Sequence, residues 1–203
     1  TGSTIMTDLV NQSRPVLLWR AMMQWVGGLG ILSLGLILLP FLRVGGMQLF
    51  RMESSDKSEK PLPRLIEISR SIIIIYLILS VLCSFAYLIA GMSPFDALTH
   101  AMTTVSTGGF STHDESLGFY KDWKILWIAI IFMIMGALPF SFFIAIIFTR
   151  NKPKFDPQIH IFLIVILIAG LVIIFSNGIK NIENFYNVSE YFFNVTSILT
   201  TTG

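Results

Sequence analysis

Four stretches of this chain carry no Asp, Glu, Lys or Arg: Ala21–Leu42, Ser71–Phe95, Ile125–Thr149 and Pro157–Ile179. Each exceeds the length that an α-helix needs to cross a bilayer, about 20 residues. Uninterrupted apolar segments of that length predict membrane-spanning helices, and everything else in the chain must be arranged around them. Charged residues make up only 13% of the chain and apolar ones 54%, against about a quarter charged in an ordinary soluble domain. So little polar surface excludes a soluble enzyme, a secreted disulfide scaffold and a disordered tail. The one cysteine, Cys83, lies in an apolar run and has no internal partner, so redox chemistry is not expected. A net charge of +2 gives no nucleic acid a surface to bind. The chain opens on Thr1-Gly2-Ser3-Thr4 and closes on Thr200-Thr201-Thr202-Gly203, and is expected to be an internal portion of a larger membrane protein.

Two shorter uncharged stretches, Ala97–Thr112 and Tyr191–Gly203, differ in kind. They are rich in Thr and Ser, and each contains a glycine motif near its end. Their length suits a re-entrant or interfacial segment better than a span. Charge supports that parsing. With four spans and two re-entrant pieces, one side receives residues 43–70 and 150–156, hence Arg43, Arg51, Lys57, Lys60, Arg64, Arg70, Arg150, Lys152 and Lys154, against five acids. The other side receives Arg14, Arg20, Lys121, Lys124 and Lys180 against seven acids. Basic residues concentrate on the cytoplasmic side of membrane proteins, which makes 43–70 and 150–156 cytoplasmic. Had Ala97–Thr112 crossed fully, the Arg150–Lys154 cluster would fall outside.

The resulting order contains a repeat: span, short helix, Thr/Gly turn, span. It divides the chain into residues 1–64 (the end of a first unit plus a cytoplasmic loop), 65–154 (a complete second unit) and 155–203 (the start of a third). The turns themselves are Thr1-Gly2-Ser3-Thr4, Ser106-Thr107-Gly108-Gly109-Phe110-Ser111 and Thr201-Thr202-Gly203. Internal symmetry of this kind marks transport proteins. Irregular backbone at membrane depth is tolerated only where protein or a water-filled cavity satisfies it. Glycine reaches positive φ without steric cost, so such turns can direct carbonyls at one axis and replace the water shell of a cation. No carboxylate lies within the turns to favour a divalent ion. A plain cap on a short helix is the alternative for any single turn, and three at equivalent places weigh against it.

Several strings carry a family resemblance. Trp19-Arg20-Ala21-Met22-Met23-Gln24-Trp25-Val26-Gly27-Gly28-Leu29-Gly30, Leu42–Arg51 with Gly45-Gly46-Met47-Gln48, Ala90–Ala97 with Pro94-Phe95-Asp96, and Ser106–His113 together resemble the TrkH branch of the Trk/Ktr/HKT potassium transporters. The resemblance covers essentially the whole chain. It implies an all-α polytopic membrane protein built from outer helix, pore helix, filter loop and inner helix units around a central pore. It also implies potassium uptake through a carbonyl-lined filter with a single glycine per loop. Carried over by motif, the filter positions are Thr1 and Gly2, then Ser106, Thr107 and Gly108, then Thr201, Thr202 and Gly203. Gly108 is the position expected to need positive φ, with Gly109 lying beyond the shared Thr-Gly step. The resemblance further implies no catalytic residues and no bound cofactor beyond the transported K⁺, a bacterial inner-membrane location, a homodimer, and a cytosolic nucleotide-binding partner similar to TrkA. That partner would use the basic face of Arg43–Arg70 and Arg150–Lys154. The sister KtrB branch, or another Na⁺/K⁺ translocator on the same scaffold, is the alternative; the long Arg43–Arg70 segment and Met47-Gln48 favour TrkH.

Other residues carry two readings each. Pro94 and Asp96 suit the first turn of a helix, either as a plain cap or as the start of a helix whose negative end faces the filter. Gly136 and Pro139 break the third span, as a gating bend or as static packing. Gly27-Gly28-Leu29-Gly30 matches a nucleotide fingerprint only superficially, since no strand precedes it, and close helix packing explains it better. Arg20 sits just outside the first span, where snorkelling to headgroups is favoured over a place in the outer vestibule. His100, His113, Asp114 and Glu115 form a remote metalloenzyme reading, without any His-Glu-x-x-His motif to support it. The sequons at Asn11, Asn187 and Asn194 fall on the side assigned as external.

Overall fold

The computed structural model describes residues 4, 6–41, 61–148, 157–176 and 185–203. Helix α1 (Arg14–Phe41) follows a short 3₁₀ turn at Leu9–Asn11 and covers the first uncharged stretch. Helix α2 (Pro61–Ile89) covers most of the second, and the 64/65 division of the repeat falls inside it. It ends in a turn closed by the Met92 N–H donating to the Tyr87 carbonyl at 3.1 Å. A short helix α3 (Pro94–Val105) follows, then an irregular segment with a 3₁₀ turn at Ser116–Tyr120. The third uncharged stretch is not one helix. It forms α4 (Trp123–Ala137) and α5 (Phe140–Phe148), separated at Leu138-Pro139, with Leu138 extended at φ −70°, ψ 147°. A residue preceding proline is driven out of the helical region, so the break is written in the local sequence. Helices α6 (Pro157–Ser176) and α7 (Phe185–Leu199) complete the chain. No strand occurs among the described residues. Ile68–Ile89 of α2 and α6 are each long and apolar enough to cross a bilayer.

Helix α3 has 12 residues, about 18 Å at 1.5 Å per residue, far short of a hydrocarbon core of about 30 Å. It goes in and comes back. Ser93 caps it, accepting the Asp96 N–H at 3.1 Å and donating to the Asp96 carboxylate at 2.7 Å, a reciprocal cap with Pro94 at the first helical position. The Thr112 hydroxyl, on the far side of the Thr-Gly turn, donates to the same Asp96 carboxylate at 2.7 Å. Residues 106–112 therefore return to the end at which α3 begins, which is the re-entrant path expected from the segment's length.

Both short helices pack between long ones. Helix α3 lies against α1, α2 and α4, while α7 lies against α4 and α6. Each short helix thus touches the long helix that ends the preceding unit, α1 for α3 and α4 for α7, and α3 also touches α4 of its own unit. The core around α3 buries Tyr76, Cys83 and Tyr87 from α2, Ala97, Ala101 and Val105 from α3, and Leu126, Ala129 and Met133 from α4. Polar pins cross it. The Tyr76 hydroxyl donates to the Trp25 carbonyl and the Trp25 indole to Ser80, both at 2.9 Å, and Tyr87 shares a proton with Thr104 at 3.0 Å.

Gly136 sits where α4 meets the carboxyl end of α3; a β-carbon there would lie 2.6 Å from the Val105 carbonyl oxygen and 3.4 Å from the Thr107 methyl. Close packing therefore accounts for Gly136, whereas Pro139 accounts for the helix break. Gly136→Ala is expected to lower stability by about 1–3 kcal/mol through overpacking. Gly118→Ala, at a site with nothing within 4 Å, is expected to leave it within about 0.5 kcal/mol. Thermal melts of the detergent-purified full-length protein measure both.

Candidate functional site: paired Thr-Gly turns at the ends of two short helices

The carboxyl end of a helix leaves carbonyls without intrahelical partners, and the chain must turn sharply to satisfy them. In the second unit the N–H groups of Gly108 and Gly109 both donate to the Thr103 carbonyl, at 2.8 and 3.3 Å, and the Thr107 N–H donates to Thr104 at 3.1 Å. In the third unit the N–H groups of Thr202 and Gly203 both donate to Ser197, at 2.9 and 3.3 Å, and Thr201 donates to Ile198 at 3.0 Å. The two turns are thus one structure in two sequences. Ser106-Thr107-Gly108-Gly109 corresponds position by position to Thr200-Thr201-Thr202-Gly203.

Dihedral angles follow the same register. Thr107 and Thr201 lie in the left-handed region at φ 49° and 58°, and Gly109 and Gly203 at φ 81° and 84°. Ser106 is right-handed at φ −76°, and neither Gly108 nor Thr202 has positive φ. Alternating handedness turns successive peptide groups toward one side, so that like backbone dipoles converge. Positive φ in a β-branched residue is a genuine outlier and costs of order 1–3 kcal/mol, yet it recurs at the same place in both turns.

This register corrects the expectation for the second loop. The glycine shared with Gly203 is Gly109, and Gly108 occupies the position of Thr202. Gly108 is small for a different reason: a β-carbon on it would run into Gln24 of α1, lying 2.5 Å from the side-chain amide carbon. Gln24 carries no chemical signal of its own within the Trp19–Gly30 string, yet its amide donates to the Gly108 carbonyl at 2.7 Å and accepts the Phe110 N–H at 3.0 Å. The Thr-Gly dipeptides of the two turns align in a different register. A gapless match of the preceding helices, setting Val105 against Leu199, reveals it.

The turns also meet each other. A β-carbon on Gly109 would overlap the backbone carbonyl oxygens of Thr202 and Gly203. Gly109 is therefore brought beside Thr202 and Gly203. Thr1 and Gly2, with the segment 43–60 and the 150–156 cluster, lie outside the described residues. Thr4, just beyond the first turn, is tied to the second: Arg20 donates to the Thr4 hydroxyl at 3.0 Å, reaches the Ser111 carbonyl at 3.5 Å, and stacks 4.5 Å above the Phe110 ring. Arg20 is turned inward across the loops rather than snorkelling outward. Asp114 accepts the Leu9 N–H at 3.1 Å, a second tie between the same segments.

Behind the second turn the buried His100 ring bridges the Asp96 carbonyl at 2.9 Å and the Ser111 hydroxyl at 3.0 Å. Two phenol rings, Tyr87 and Tyr120, meet it edge-on. His113 stacks on Phe119 at 3.8 Å. Asp96 is held below its ordinary value: burial pushes it up, but the hydroxyl donors Thr112 and Ser93 outweigh that. Among the described residues no group of three or more His, Cys, Asp or Glu is placed to hold a metal ion.

A polytopic all-α protein whose short helices end in converging Thr-Gly turns belongs to the pore-loop class of membrane transport proteins. The sequence profile of the TrkH family, described as a cation transport protein, matches residues 1–158, and the chain belongs to that family, one of transporters rather than enzymes. It is 41% identical over its whole length to the Trk system potassium uptake protein TrkI of Halomonas elongata, covering 42% of that protein. It is 35% identical over its whole length to the Trk system potassium uptake protein TrkH of Escherichia coli K12, covering 43% of it. The crystal structure of the potassium transporter TrkH from Vibrio parahaemolyticus matches the whole chain at a TM-score of 0.83 and 32% identity, over 42% of that structure. The chain thus spans about two fifths of the length of these relatives.

Burial holds the His100 imidazole at about 4, against the pull of the Asp96 carbonyl toward a higher value. The folded protein therefore keeps His100 neutral while the unfolded chain takes up a proton as pH falls through about 6.5. Stability from this site is complete above pH 6.5 and declines as pH falls toward 4. The melting temperature of the purified full-length protein is expected to fall across that window, and His100→Gln is expected to flatten the fall.

Proposed function

We propose that this chain forms part of a potassium uptake pore of the cytoplasmic membrane. In it, the turns Ser106–Gly109, apart from the Gly108 oxygen bonded to Gln24, and Thr200–Gly203 lend backbone carbonyls to a K⁺ filter, with Thr1-Gly2 contributing to a further loop. The observation that carries the reading is the recurrence of one strained backbone pattern in two abutting turns. Left-handed Thr107 and Thr201 close the two helix ends in the same way, so both turns present equivalent carbonyls. The turns are uncharged, so carbonyl oxygens are the available ligands, and rings of carbonyls suit an alkali cation. Both short helices point their negative carboxyl ends at the turns, adding a favourable field. Potassium uptake by the named relatives supports the choice of ion. A membrane potential supplies about 2.3 kcal/mol per 100 mV for each monovalent cation carried inward, so entry requires no chemistry on the protein. The family also supports a homodimer, and a cytosolic nucleotide-binding partner on the basic 43–70 and 150–154 segments.

In the full-length protein, Gly109→Ala is expected to abolish most discrimination of K⁺ from Na⁺. The added methyl meets the Thr202 and Gly203 carbonyls and opposes positive φ, a penalty of about 1–2 kcal/mol or roughly tenfold in selectivity. Gly108→Ala meets the Gln24 side chain instead and is expected to lower selectivity by displacing that side chain from the loop. Rb⁺ uptake under Na⁺ competition, in cells lacking other potassium uptake systems, measures both. Wild-type selectivity in a normally inserted Gly109→Ala protein would refute the carbonyl assignment. Residues 1–203 reconstituted alone are expected to pass no ions, because the remaining ligands of the ring are missing.

A further inference from the structure

We propose that Gln24 is a selectivity-positioning residue, which aims the Gly109 carbonyl of the second loop from the inner helix of the preceding unit. The inference rests on the filter reading above. Gln24 lies in the uncharged stretch of α1, where a polar side chain is retained only with a partner. Among its partners are two backbone groups that flank one residue: the Gly108 carbonyl, which accepts from the amide nitrogen at 2.7 Å, and the Phe110 N–H, which donates to the amide oxygen at 3.0 Å. A primary amide has a donor and an acceptor side by side, so a single side chain brackets both peptide groups of Gly109.

The consequence follows from peptide planarity. A trans peptide sets its C=O opposite its N–H. Holding the Phe110 N–H against Gln24 therefore turns the Gly109 carbonyl away from α1. Holding the Gly108 carbonyl against Gln24 withdraws that oxygen from ion binding. Gly109, at φ 81°, is the residue whose freedom this removes. The bracket explains why position 108 has no side chain: Gln24 occupies the space that a β-carbon needs.

The third loop is braced by other means. Thr202, which corresponds to Gly108, shares a proton with the Thr200 hydroxyl at 2.8 Å, and Thr200 donates to the Thr196 carbonyl at 2.7 Å. The second loop depends on a neighbouring unit for its hold. Selectivity in the second loop is thus coupled to the seating of α1.

The test uses the full-length protein, with Rb⁺ uptake measured under Na⁺ competition in cells lacking other potassium uptake systems. Gln24→Glu keeps the size and the acceptor but loses the donor to Gly108; Gln24→Leu loses both. Each is expected to lower the Na⁺ concentration that halves Rb⁺ uptake by about tenfold, as expected for one or two lost hydrogen bonds. Met23→Leu, at a position 59% exposed on the same helix, is expected to match wild type. Should the leucine variant fail to insert, the isosteric glutamate variant carries the test. Wild-type Na⁺ sensitivity in an inserted Gln24→Glu protein overturns the proposal. So does reduced uptake with unchanged Na⁺ competition, which is the signature of a merely structural residue. A wild-type protein without Rb⁺ uptake overturns the transport reading itself and is seen before any variant is compared.

Discussion

One carbonyl accepting two N–H groups, Thr103 in the second unit and Ser197 in the third, is the interaction on which the rest of the site depends. At membrane depth a turn cannot borrow hydrogen bonds from water, so every backbone donor it exposes must be met by protein. Doubling up on a single carbonyl at the end of α3 or α7 consumes the two N–H groups at the tip and lets the chain reverse within four residues. What the reversal leaves over is carbonyl oxygen. The chain is thereby forced into left-handed threonine at 107 and 201, and the strain is offset by the packing that holds the turn shut.

That packing comes from outside the loop. The second turn is closed above by Thr112 on Asp96 and by His100 on Ser111, and held from α1 by Gln24. Gly136 of α4 admits the Val105 carbonyl from the other side. Arg20 and Asp114 tie the segment after the first turn to the segment after the second. The short helices are consequently the places where units interlock: α3 sits between inner helices α1 and α4, and α7 takes α4 as its predecessor's inner helix. A change in the seating of one long helix reaches the neighbouring unit's turn through direct contacts, without any intervening relay.

Much of this architecture was legible in the order of residues. Uncharged stretches marked the long helices because charge is costly in hydrocarbon, and Ala97–Thr112 was too short to cross. Pro94 and Asp96 announced the start of α3, and Pro139 the break between α4 and α5. The register of the second loop was not legible from its dipeptides, because Thr107-Gly108 and Thr202-Gly203 look alike while occupying different positions along their turns. Snorkelling is what the position of Arg20 suggests, since a sequence shows that an arginine lies near an interface but not that an aromatic ring and two loop oxygens stand within its reach.

The sequence by itself determined that the chain enters a membrane and that it carries repeated Thr-Gly turns. These are consequences of solvation and covalent geometry, which act on each segment alone. Tertiary structure decided which glycine is the shared one, why Gly108 can have no side chain, and that Gln24 faces both peptide groups of Gly109. Each of these depends on the approach of elements about 85 to 95 residues apart in the chain, at distances where a single methyl group decides the outcome.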